Sequence, residues 1–94
     1  MAAYWIAHVD VTDSEVYGEY AKLATEAIES HGGKFLARGG DYEVLEGSCR
    51  PRNVLAVFPS MEAAKQCYDS ESYKKALSYS SRSSERDVIL LEGV

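Results

Sequence analysis

Four short apolar runs, Tyr4 to Val11, Lys34 to Leu45, Val54 to Phe58 and Val88 to Leu91, alternate with only two stretches of helical period. In three of these runs apolar residues fall on both alternation faces, the pattern of strands covered on two sides. Two helices cover one face of a four-stranded sheet, so the other face calls for a further layer. In a chain of 94 residues that layer is expected from a second copy of itself. A single domain spanning residues 1–94 buries little more than about 60% of its unfolded surface, and this narrow margin points the same way.

Local signals order the elements. Thr12 with Glu15 forms a capping-box pattern, and Asp13 is an equally good cap one residue on. Val16, Tyr20, Leu23, Ala24, Ala27 and Ile28 then recur at helical spacing. His31 falls at the negative end of that helix dipole, where Gly32-Gly33 ends the helix. Lys34 to Glu46 reads as one long strand bent by a bulge at Gly39-Gly40, a tight hairpin there being the other option. Gly47 to Pro51 makes a turn into a strand over Asn53 to Phe58.

Ser60 caps a second helix with Met61, Ala64, Cys67 and Tyr68 inward, and Ser70 restarts it through Tyr73, Ala76 and Leu77. Five serines between Ser78 and Ser84 predict a solvated connection before a last strand, Asp87 to Glu92. The order strand, helix, strand, strand, helix, strand is that of an α+β, ferredoxin-like β-α-β-β-α-β sandwich, with both helices on one face. Two such sheets packed face to face form a dimeric α/β barrel.

Particular residues carry a family resemblance. Tyr4-Trp5-Ile6 with Val9 to Asp13, Gly33 to Gly40, Leu45-Glu46-Gly47, Phe58-Pro59-Ser60, Tyr68-Asp69-Ser70 with Tyr73, and Glu92-Gly93 together resemble the bacterial domain of unknown function 1330 family. The resemblance runs nearly end to end and implies a dimeric α/β barrel of ferredoxin-like type, with no reaction established for the family. Two positions depart from the family pattern. Val57 stands where an acidic residue usually precedes Phe-Pro-Ser, and Cys67 where a Trp usually precedes the tyrosine. The first removes a carboxylate from that strand end, and the second enlarges the space the ring fills.

Charge and motif content narrow the function. A net charge of -5 and a pI near 4.9 disfavour a phosphate-neutralising grip on nucleic acid. No apolar run approaches the roughly 18 residues of a membrane span, and the N-terminus lacks a signal-peptide pattern, so a cytoplasmic protein is expected. Cys49 and Cys67 have neither disulfide nor metal-ligand spacing and read as reduced thiols, so no metal is expected. Neither glycine pair builds a nucleotide loop and no Gly-x-Ser-x-Gly elbow occurs, so no cofactor is expected either.

The residues left for chemistry are few. His8, mid-strand on the face of Tyr4, Ile6 and Asp10, is the acid/base candidate. Arg38, read on the Leu36 face, either pairs with Glu43 or Glu46 or clamps a ligand anion. Arg52 approaches the same sheet end, while Tyr68 and Tyr73 offer hydroxyls to orient a ligand or serve as packing. Glu46 and Arg82 are weaker candidates. These residues suit a cofactor-independent enzyme acting on a small aromatic or carboxylated metabolite, with His8 and Arg38 catalytic and Arg52, Tyr68 and Tyr73 binding. The alternative is a non-catalytic small-molecule-binding or structural homodimer.

Overall fold

The computed structural model describes residues 1–94. Its elements are β1 (Ala3–Val11), α1 (Ser14–Ser30), β2 (Lys34–Arg38), β3 (Arg52–Phe58), α2 (Met61–Asp69), α3 (Glu71–Ser83) and β4 (Ser84–Glu92). The strands form one antiparallel sheet in the order β2-β3-β1-β4, which is the ferredoxin-like arrangement with the second helix split in two.

β1 sits inside this sheet, and its alternation sorts the chain into layers. Ala3, Trp5, Ala7 and Val9, none more than 3% exposed, face the helices, whereas Tyr4, Ile6, His8 and Asp10 face the other way. Trp5 stacks on Phe58 at 5.7 Å and meets Tyr73 edge-on at 5.1 Å, geometries that favour aromatic pairs. From α1, Tyr17, Tyr20, Ala24, Ala27 and Ile28 close over this layer, joined by Ala64, Cys67, Tyr73 and Ala76 from α2 and α3.

The expected caps form. Asp13, the second of the two candidates, accepts from Val16 N, and Ser60 accepts from Ala63 N. Ser70 serves two helices at once: its hydroxyl donates to Cys67 O at 2.6 Å and accepts from Tyr73 N at 3.2 Å.

Two expectations are corrected. The second strand stops at Arg38, and residues 39–51 contain no strand. β3 already has β2 on one side and β1 on the other, so both of its sides are taken, and Tyr42, Val44 and Leu45 pair with no strand and remain exposed. A bulge does occur, but between Phe35 and Ala37, where Phe35 pairs with Ala56 and Ala37 with Leu55. The extra residue reverses the phase of the strand, so Arg38 lies over Phe35 and not on the Leu36 side.

The second correction concerns the serines: Ser78, Ser80, Ser81 and Ser83 belong to α3, and Ser84 opens β4. Ser80 and Ser83 are buried, their hydroxyls donating to Leu77 O at 3.1 Å and Tyr79 O at 2.7 Å. Bonding back to the preceding turn lets a serine-rich segment remain helical without unpaired hydroxyls. Ser83 O also accepts from Thr12 N and Asp13 N, tying the end of α3 to the entry of α1.

The second sheet face carries no helix. Ile6, Leu55 and Val57 are half-buried on it, and Leu36, Ile89 and Leu91 are each more than half exposed. Because Ser70 ends one helix and begins the next, Ser70→Ala is expected to cost about 1–2 kcal/mol. A urea midpoint equal to that of the unaltered protein would contradict this.

Candidate ligand-binding site

Strand register gathers arginines from three strands at one end of the helix-facing layer. Arg52 and Arg86 flank Val9 on its two sides, and Arg38 stands on β2 one core-facing step away, opposite Val54 in the row of Ala7. Each comes from its own strand, and Arg86 belongs to the core phase of β4, alternating with Val88 and Leu90. None of the three makes an ion pair; the ion pairs of the chain all belong to Arg50.

Their partners are aromatic rings and hydroxyls. The Arg86 guanidinium lies 4.6 Å from the centre of the Tyr20 ring. It donates to Tyr20 Oη at 2.5 Å and to Tyr73 Oη at 3.2 Å. The two phenol oxygens are themselves 2.6 Å apart, one donating to the other. Burial pushes the Tyr20 phenol above its ordinary range, with Arg86 pulling partly the other way. Burial likewise raises Tyr73. Both are neutral hydroxyls near pH 7, and the cation is left without a negative counterpart.

Arg52 lies 5.5 Å from the Tyr17 ring centre, and its Nε is buried with no hydrogen-bond partner. Gly39, at φ 74°, brings backbone against the same guanidinium: a Cβ there would stand 3.0 Å from Arg52 Cζ and closer still to Nη1. Arg38, more exposed, stacks 4.5 Å above Phe35 and donates to Thr25 Oγ1 at 3.3 Å. It bonds neither Glu43 nor Glu46.

These side chains line a cavity between α1 and the sheet, with Trp5, Ile28 and Phe35 among its apolar wall and no Asp or Glu in it. Its enclosed free space is about 30 Å³. It shares Ala21, Thr25, Arg38 and Arg52 with an outer groove of about 410 Å³ that also meets Lys22 and Glu26.

His8 lies elsewhere. It projects from the opposite sheet face, where its Nδ1 is 2.5 Å from Asn53 Oδ1. Asn53 Nδ2 donates to Arg50 O, which orients the amide so that its oxygen accepts, places the proton on Nδ1 and leaves Nε2 as the free acceptor. Cys49 Sγ donates to the same oxygen at 3.1 Å. Arg50 reaches across to Asp10 at 2.6 Å and Asp87 at 3.0 Å. These groups border a polar depression of about 420 Å³. The sheet therefore separates His8 from Arg38, which the sequence reading places on one substrate.

Of the other expected residues, Tyr73 is buried beside the cavity and Tyr68 is partly exposed on the far side of Trp5. Arg86, Tyr17 and Tyr20 were missed. The signal for Arg86 was its place in the Val88-Leu90 alternation, and for Tyr17 its spacing of three residues from Tyr20 and seven from Ala24 in the recognised stripe. No three His, Cys, Asp or Glu side chains converge as a metal set. No helix is long and apolar enough to cross a membrane.

Fold and cavity define a ferredoxin-like α+β domain with a basic, aromatic-walled internal site. The chain belongs to the family described as Domain of unknown function (DUF1330), whose model matches residues 2–94. No curated protein matches it. Solved structures do. A protein of unknown function from Rhodopseudomonas palustris is 18% identical, with TM-score 0.81 over 99% of this chain and 82% of that one. A dimeric ferredoxin-like protein of unknown function from a Jannaschia species is 12% identical, with TM-score 0.75 over 99% and 100%. SnoaB, a cofactor-independent oxygenase from Streptomyces nogalater, is 10% identical, with TM-score 0.72 over 99% and 93%. At such identities these likenesses establish the fold alone.

Two outcomes are expected of this geometry. Gly39→Ala should lower stability by about 1–2 kcal/mol, the cost of a left-handed non-glycine residue, and displace the Arg52 guanidinium; an unshifted Arg52 Nε–H resonance would contradict it. Raised phenol pKa values also predict alkaline sensitivity. Below about pH 10, Tyr20 and Tyr73 are protonated in both folded and unfolded chains; above it the unfolded chain releases protons that the folded one holds, so stability falls as pH rises. Burial pushes the Cys67 thiol up to about 11, adding a loss of the same sign from about pH 9. Urea midpoints at pH 8, 10 and 11 should decline, and less so in Tyr73→Phe; a flat series would refute the assignment.

Proposed function

We propose that this protein is a homodimer that binds a small aromatic or carboxylated metabolite in the cavity between α1 and the sheet. The observation that carries this reading is the cluster of three guanidiniums set against aromatic walls with no carboxylate among them. A cation removed from water and left without an anion is costly, and a ligand anion supplies the missing partner. Trp5, Tyr17 and Phe35 offer apolar surface to the rest of the ligand. In this reading Arg52 and Arg38 hold the ligand, as expected from sequence, joined by Arg86 and Tyr20. Tyr73 positions Tyr20, and Tyr68 backs the wall through Trp5.

The dimer is supported by the open sheet face. Ile6, Leu55, Val57, Leu36, Ile89 and Leu91 form an apolar surface that a second copy covers with its own. The similar Jannaschia protein is described as dimeric.

Cofactor-independent catalysis is a second reading, favoured by the polar cluster on that open face. There His8, with Nε2 free, is the general acid or base beside Cys49 and Arg50. SnoaB, of the same fold, is a cofactor-independent oxygenase.

Native mass spectrometry of freshly purified protein tests the proposal. A dimer retaining a small anionic adduct is expected, the adduct being lost in Arg52→Met with the dimer intact. A bare monomer at micromolar concentration would refute the dimer, and an adduct undiminished in Arg52→Met would refute the site. For the second reading, turnover of a compound bound in the polar depression on the open face should be abolished by His8→Ala, and undiminished turnover would remove His8 from that role.

A further inference from the structure

We infer that the ligand enters head first as a monocarboxylate, its carboxylate filling the enclosed end of the cavity on Arg52 Nε and its body lying in the outer groove along α1. This rests on the proposed binding function and assigns the charge, size and direction of the ligand.

Size sets the head group. A site for one water needs about 10–15 Å³ of such space, so the enclosed 30 Å³ holds about two water-sized groups. The two oxygens of a carboxylate match that; an aromatic ring does not. The groove of about 410 Å³ outside has room for a ring or short chain.

Charge and donor geometry set its kind. Arg52 lines the cavity, and its Nε is a buried donor without an acceptor, a state that is unfavourable until it is satisfied. Its guanidinium is confined between Gly39 and Tyr17, so the donor is presented in a fixed direction. The wall supplies cations and hydroxyls, with no carboxylate to repel an anion. At the groove the balance changes: Glu26 joins Lys22, Arg38 and Arg52 in the lining, so the outer part lacks the one-sided charge of the inner end. Arg38 and Arg52 line both spaces and stand where the head passes inward, while Arg86 lines only the inner one of the two.

Three probes at equal ionic strength test this: sodium acetate as the head alone, sodium benzoate as head and ring, and benzamide as the uncharged ring. The readouts are the Arg52 Nε–H cross-peak, assigned by its loss in Arg52→Lys, and the indole N–H of Trp5, the single tryptophan. Acetate and benzoate should both shift the Arg52 signal saturably, benzoate at least tenfold more tightly, with benzamide leaving it unmoved. If benzamide and benzoate shift Trp5 equally while Arg52 stays still, cavity binding stands and the head-first carboxylate is overturned. If no probe moves either signal, both fall.

Discussion

Everything in this domain hangs on β1 lying inside the sheet with its small and large residues in strict alternation. Ala3, Ala7 and Val9 keep the helix-facing layer shallow, and Trp5 fills the one place where it is deep. Phe58, Tyr73 and Tyr68 pack around the indole, which joins β3, α2 and α3 to the central strand. With its apolar area spent on this layer, the chain has no third element to cover Tyr4, Ile6 and their neighbours behind.

Polar chemistry enters at the margin of that same layer. Toward the end of β1 the adjoining core-facing positions of β3 and β4 are Arg52 and Arg86. A half-buried arginine is ordinarily compensated by a carboxylate. Here Arg86 is compensated by two neutral phenols and Arg52 by a ring face, which offset only part of the lost hydration. A cavity that is basic, apolar-walled and incompletely compensated is the physical ground for the proposal that an anion from outside the chain occupies it. The opposite face is built on another principle, with Arg50 neutralised by Asp10 and Asp87.

Much of the fold was legible because its signals are local. Capping at Asp13, Ser60 and Ser70 rests on side chains reaching the next turn, and the apolar periods of α1 and β1 need only their own neighbours. The serine run was misread because composition suggests solvent, whereas bonds to carbonyls one turn back hold it helical. The strand expected beyond Gly39 failed for a non-local reason: alternation promises a strand, but only pairing with a neighbour makes one, and residues 39–51 join no strand of the sheet. Among site residues, Arg38 and Arg52 were legible as cations that need partners, but a single-residue bulge at Phe35–Ala37 decided which face Arg38 takes.

By itself the sequence determined the element order, the helix starts, the ferredoxin-like class and the two-sided apolar character that calls for a second copy, because periodicity and capping are properties of contiguous residues. Tertiary structure alone decided that Arg38, Arg52 and Arg86 share one layer, that Tyr20 and Tyr73 meet across 53 positions, and that His8 stands on the other side of the sheet. Those facts depend on strand register, and register is fixed only when the whole core packs at once.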